Sequence, residues 1–215
     1  LLEYVQNTTI DGDLTINVGR FAHYSSLFSL DVQGDCTINN TGILDGGSGS
    51  IELGSLEINS GGEYRATTGT TTLTKNTGAG SSGRTLYCHN TGVFTHNKGL
   101  LKATASSADL EFTSQSETNN PLYDFEATQY AIAAANEWTV LNNMTIANGF
   151  QFNGGAGRAK VYGIMKQTGG TYNASDVSSS TDHFFNHYEL EGGTLDLSNI
   201  DITVGSIRNT GGTIS

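Results

Sequence analysis

The chain of 215 residues holds one proline, two cysteines and ten basic residues. Each scarcity excludes something. Two cysteines are too few for a disulfide scaffold. Cys36 and Cys88 stand in the strand-like segments "DCTINN" and "LYCHN", where buried free thiols are expected. Charged residues make up 14% of the chain, against about a quarter in ordinary soluble domains. Asp and Glu total 21, giving a net charge of −11. Phosphate backbones and anionic membrane surfaces both require clustered cations, so neither nucleic acid nor a lipid headgroup layer is an expected partner. No apolar run approaches the roughly 18 residues of a bilayer span, so no membrane insertion is expected. The sequence has no nucleophile-elbow, H-E-x-x-H or phosphate-loop motif, and no cofactor is expected.

What is abundant is Gly, at 28 positions, with Thr, Ser and Asn between β-branched and aromatic residues. That mixture favours short strands joined by turns. A marker recurs: Gly42, Gly62, Gly92, Gly99, Gly149, Gly170, Gly193 and Gly212 each precede a short apolar segment. Successive markers lie 20 residues apart from Gly42 to Gly62, and 21, 23 and 19 apart from Gly149 through Gly170 and Gly193 to Gly212. Two residues past the marker stand Leu44, Tyr64, Phe94, Leu101, Tyr172, Leu195 and Ile214, predicted as one inward-facing column. Asn40, Asn90 and Asn97 stand two residues before it, suited to left-handed turns and to side-chain ladders.

Short strands and Gly turns repeating at about 20 residues predict an all-β, single-stranded parallel β-helix, a β-solenoid. One turn cannot bury its own apolar face, whereas stacking turns pairs every strand and covers the face together. The chain is read as a single solenoid domain over 1–215 and as a segment of a longer protein. The register is lost over 104–143, which holds Pro121 and the Ala-rich run "EATQYAIAAANEW". This stretch is expected to be an irregular coil or loop insertion, with room for one helical turn.

Candidate sites are sparse. The cluster Asp182, His183, His187 and Glu189 places two histidines four residues apart on one face, a spacing compatible with metal capture but lacking further ligands. Asp11 and Asp13 form a "DGD" that is a weak calcium candidate, since later acidic ligands are missing; no metal is assigned. Two acidic pairs, Asp31 with Asp35 and Glu189 with Glu191, have the spacing glycoside hydrolysis needs. Arg158, Lys160 and Lys166 are the bases a lyase would draw on. No residue is assigned a catalytic role. The glycan-binding candidates are Phe21, Tyr24, Phe184, Phe185, His187 and Tyr188, because aromatic faces stack on sugar rings.

The phrases "GVFTHNKGLLKAT", "WTVLNNMTIANGFQFNGGA" and "MKQTGGTYNAS" resemble the Thr/Asn/Gly-rich β-solenoid repeats of tailed-phage virion appendages, fibre- or tailspike-like, and of bacterial surface adhesins. The resemblance is one of repeat style and carries over no functional residue. It implies a non-enzymatic structural and adhesive rod on a virion surface or in the extracellular space. Its implied partners are further copies of the chain, a trimer included, other virion proteins, or a host-surface glycan. The alternatives are a bacterial cell-surface adhesin and a polysaccharide-degrading β-helix enzyme.

Overall fold

The structure is a computed structural model that describes residues 2–3, 6–22, 27–76, 83–134, 137–152, 158–173, 183–197 and 202–215. Among them there is no helix, and every strand pairing is parallel. The chain winds as a β-solenoid with roughly 22 residues per turn, slightly more than the expected 20.

Each turn has three sides. The strand Ser29–Asp45 covers all three in one continuous run, its inward residues Leu30 and Val32 on the first, Cys36 and Ile38 on the second, and Leu44 on the third. One column follows the first side from end to end: Ile10, Val32, Leu53, Leu73, Ala103, Ala127, Ile146, Gln167, Leu190 and Asn209, each in register with the next. Alternating inward and outward residues on a half-buried strand produce this pattern.

The marker glycines do not define one column. Leu44, Tyr64 and Phe94 stack on the third side. Leu101 pairs with Thr71 and Phe125 on the first. Tyr172, Leu195 and Ile214 stack on the second. All are buried except Ile214, which is 44% exposed in the last described turn. Because every corner asks the chain for the same change of direction, one local sequence serves all three. Two causes act on the glycines, backbone angle and close approach, and at Gly170 and Gly193 both act. Gly149, Gly170 and Gly193 have φ of 114°, 64° and 81°, a conformation that side chains with a Cβ resist. Gly42, Gly62, Gly92 and Gly99 instead pass too close to the turn below; a Cβ on Gly92 would sit 2.8 Å from the Ile58 carbonyl oxygen. Asn40 and Asn97 take the left-handed turn, at φ 48° and 46°.

Two ladders run along corners. Asn39 donates from Nδ2 to Asn17 Oδ1 at 3.0 Å, and Asn59 to Asn39 Oδ1 at 2.8 Å. This ladder is one residue away from the Asn positions expected to form one. At another corner the hydroxyls of Thr74, Thr104, Thr128 and Thr168 donate to carbonyls of the turn below, at 3.2–3.4 Å.

Among its described residues, the irregular part of 104–143 is confined to 113–121, and the rest is in the stack. It forms Ser107–Phe112, Asp124–Ala127, Tyr130–Ala134 and Glu137–Val140, all in register with neighbouring turns. The Ala-rich run is strand because its small residues are needed inside. Ala127, Ala131 and Ala133 are buried, and the core also takes in Trp138, whose ring packs edge-on to Phe112 at 5.7 Å and Phe125 at 5.2 Å. Tertiary pairing thus overrides a helical propensity of a few tenths of a kcal/mol per residue. Only 113–121 leaves the stack. At that level the third side has no strand: the Asn120 side chain accepts from the Phe94 backbone N–H at 2.7 Å, and Leu122 meets Val140 through an isolated bridge.

The core is aromatic along much of its length. Ring contacts run from Tyr64 through Phe94, Phe112, Trp138, Phe150 and Tyr172 to Phe185 and Tyr188. Cys36 and Cys88 are buried free thiols, each pushed up to about 12 by burial.

Candidate ligand-binding groove

Of the six aromatic and histidine candidates, Phe21, Phe185 and Tyr188 are core residues and cannot meet a ligand. Tyr24 lies outside the described residues, as does Asp182 of the acidic–histidine cluster. Phe184 and His187 are half-buried and face outward.

His183 and His187 do not share a face. The strand His183–Leu190 turns a corner between the third and first sides, so its inward residues are His183, Phe185, Tyr188 and Leu190. His183 is fully buried. Its Nδ1 accepts the Ala159 backbone N–H at 3.1 Å and lies 3.0 Å from the Tyr172 hydroxyl. Burial lowers its pKa to about 4. His187 stands outside, 2.6 Å from Ser206 Oγ and 3.5 Å from Glu189.

Among the described residues, no three His, Cys, Asp or Glu side chains converge to hold a metal. Asp11 is exposed, and Asp13 accepts the Asp35 backbone N–H at 2.9 Å as a corner cap. Three of the four carboxylates in the acidic pairs are engaged elsewhere. Asp35 accepts from Ser55 at 2.8 Å, Glu189 lies 3.6 Å from Arg208, and Glu191 pairs with Lys166 at 2.9 Å.

A surface groove lies on the third side, in the strands Glu137–Val140, Arg158–Gln167 and His183–Leu190. Their inward residues Trp138, Ala159 and His183 anchor the backbone to the core. The alternate residues therefore point out. Glu137 is in register with Arg158, and Thr139 with Lys160. Lys160 is in register with Phe184, and Phe184 with Thr203. Arg158, Lys160, Tyr162, Phe184 and Thr203 line an open groove of about 350 Å³.

Tyr162 and Phe184 form its aromatic wall, with ring centroids 5.4 Å apart and planes tilted by 46°. Glu137 fixes the cationic wall. Its Oε2 accepts from Arg158 Nε at 2.8 Å and lies 2.7 Å from Arg158 Nη2 and 3.0 Å from Lys160 Nζ. Thr139 donates to Oε1 at 2.9 Å. Burial raises the Glu137 pKa, but the hydrogen bonds from Lys160, Thr139 and Arg158 outweigh it and hold the carboxyl below its ordinary value. Glu137 is accordingly an anion at neutral pH, and it holds two long cationic side chains in place. Glu117, on the outward loop 113–121, reaches to 3.8 Å from Lys160 Nζ.

Of these residues the sequence singled out Phe184 as a glycan contact. Tyr162 was missed, although the alternation of "RAKVY" carries the signal: on a strand, Arg158, Lys160 and Tyr162 share one face. No protein-family model, curated protein or solved structure matches the chain.

Proposed function

We propose that the chain is a non-enzymatic, adhesive segment of a rigid rod, of the kind that virion appendages carry, and that the third-side groove docks a sugar of a surface glycan. The observation that carries this reading is the outward pair Tyr162 and Phe184 beside Arg158 and Lys160. Sugar rings present flat C–H faces that stack on aromatic rings, while hydroxyls need fixed polar partners at the rim. The strands beneath the groove are packed on the core, so little order is lost on binding. The engagement of Asp35, Glu189 and Glu191, three of the four carboxylates considered for glycan cleavage, supports an adhesive role over a hydrolytic one.

Calorimetric titration of the protein with a panel of neutral and acidic oligosaccharides tests the reading. Binding is expected for at least one of them, and Phe184→Ala is expected to weaken it about three- to tenfold, the range of an aromatic contact. Absence of binding across the panel, or identical affinity in Phe184→Ala, would overturn it.

A further inference from the structure

We infer that the groove selects an acidic sugar, a uronate whose ring stacks on Phe184 and Tyr162 while its carboxylate meets Lys160 and Arg158; this rests on the glycan-binding reading above. Two of the ten basic residues of a chain with net charge −11 converge on one groove. Both are held there by a single carboxylate oxygen, Glu137 Oε2. That one anion, retained in its charged form, balances one of the two positive charges.

The second is faced by Glu117. Its contact of 3.8 Å with Lys160 is too long for a hydrogen bond, and its side chain is 54% exposed on an outward loop. Such a pair is weak and solvent-screened. An ammonium has three donors, and a ligand carboxylate at Lys160 replaces the distant Glu117 with a direct, charge-assisted hydrogen bond. The register supplies the geometry. Lys160 and Phe184 are neighbours across one rung, about 4.8 Å apart. A ring lying on Phe184 thus brings a carboxylate on its edge to the ammonium. Arg158 adds a planar fork on the same wall, 41% exposed on its outer side.

The test uses oligogalacturonate and its fully methyl-esterified counterpart, which share a backbone and differ in charge. Both are titrated by calorimetry at about 0.01 M and about 1 M salt, where the screening length falls from about 30 Å to about 3 Å. The acid form is expected to bind about three- to fivefold more tightly at low salt, with the gap closing at high salt. Lys160→Gln should close the gap, the acid form losing more affinity than the ester. Glu117→Gln, remote from the core, should widen it. Equal affinity for acid and ester, or a gap unchanged in both Lys160→Gln and Glu117→Gln, would overturn the acidic selectivity. If ester binding persists in that case and Phe184→Ala weakens it about three- to tenfold, the glycan reading stands alone. If neither oligosaccharide binds, the selectivity fails; if no other sugar binds either, the reading beneath it fails as well.

Discussion

Acid should loosen this rod through one side chain. His183 Nδ1 serves as acceptor for the Ala159 N–H of the turn below; a protonated imidazole has no lone pair there and would break that rung of the ladder. The folded-state pKa of about 4 lies below the ordinary 6.5. The neutral ring therefore contributes its full stability above pH 6.5, and the contribution is lost as pH falls from 6.5 through 4. Across that 2.5-unit window, at about 1.4 kcal/mol per unit, the loss amounts to about 3 kcal/mol. The chain's many carboxylates also titrate in acid, so the effect must be read as a difference. His183→Asn places an amide oxygen where Nδ1 accepts and removes the titration. Urea midpoints of both proteins, followed by circular dichroism at pH 7.5, 6, 5 and 4, should diverge as acidity rises. The wild type should fall behind by about 3 kcal/mol at pH 4 and no further below it. Parallel curves over the window would refute the reasoning.

Two shorter predictions follow from the stacking. Gly92→Ala drives a Cβ against the Ile58 carbonyl and should cost about 1–3 kcal/mol; Gly12→Ala meets nothing within 4 Å and should stay within about 0.5 kcal/mol. Equal melting temperatures for the two variants would contradict the close-approach account. Cys36 and Cys88, with thiol pKa values near 12, hold only about one part in ten thousand as thiolate at pH 8. A thiol-specific chromogenic reagent should label neither in the native protein and both in urea; prompt stoichiometric labelling of the folded protein would count against their burial.

The winding itself was legible because stacking forces like residues to recur. Tyr64, Leu101, Tyr172 and Leu195 are all buried as that argument requires. Which side each occupies was not legible. The Gly marker records a local solution to a bend, and three corners share that solution. The Ala run 131–134 misled for a related reason. Alanine favours a helix in isolation, and its use here, at buried positions of strands paired with neighbouring turns, depends on partners from distant parts of the chain. His183 and His187 were paired by counting alternate residues, a rule that slips wherever a strand turns a corner. The groove was half visible. Phe184 stood out as an aromatic, whereas Tyr162 became meaningful only once the register set it beside the next rung.

The loop 113–121 bears on how such a rod carries mechanical load. In a solenoid the backbone hydrogen bonds run along the axis, so a lengthwise pull stretches the three sides of one level in parallel and successive levels in series. Strength is then set by the weakest level. Where Asn120 and a lone bridge replace the third strand, fewer backbone bonds share the tension. Fracture under axial force should begin there, parting the described turns into two stiff stacks joined by the remaining two sides.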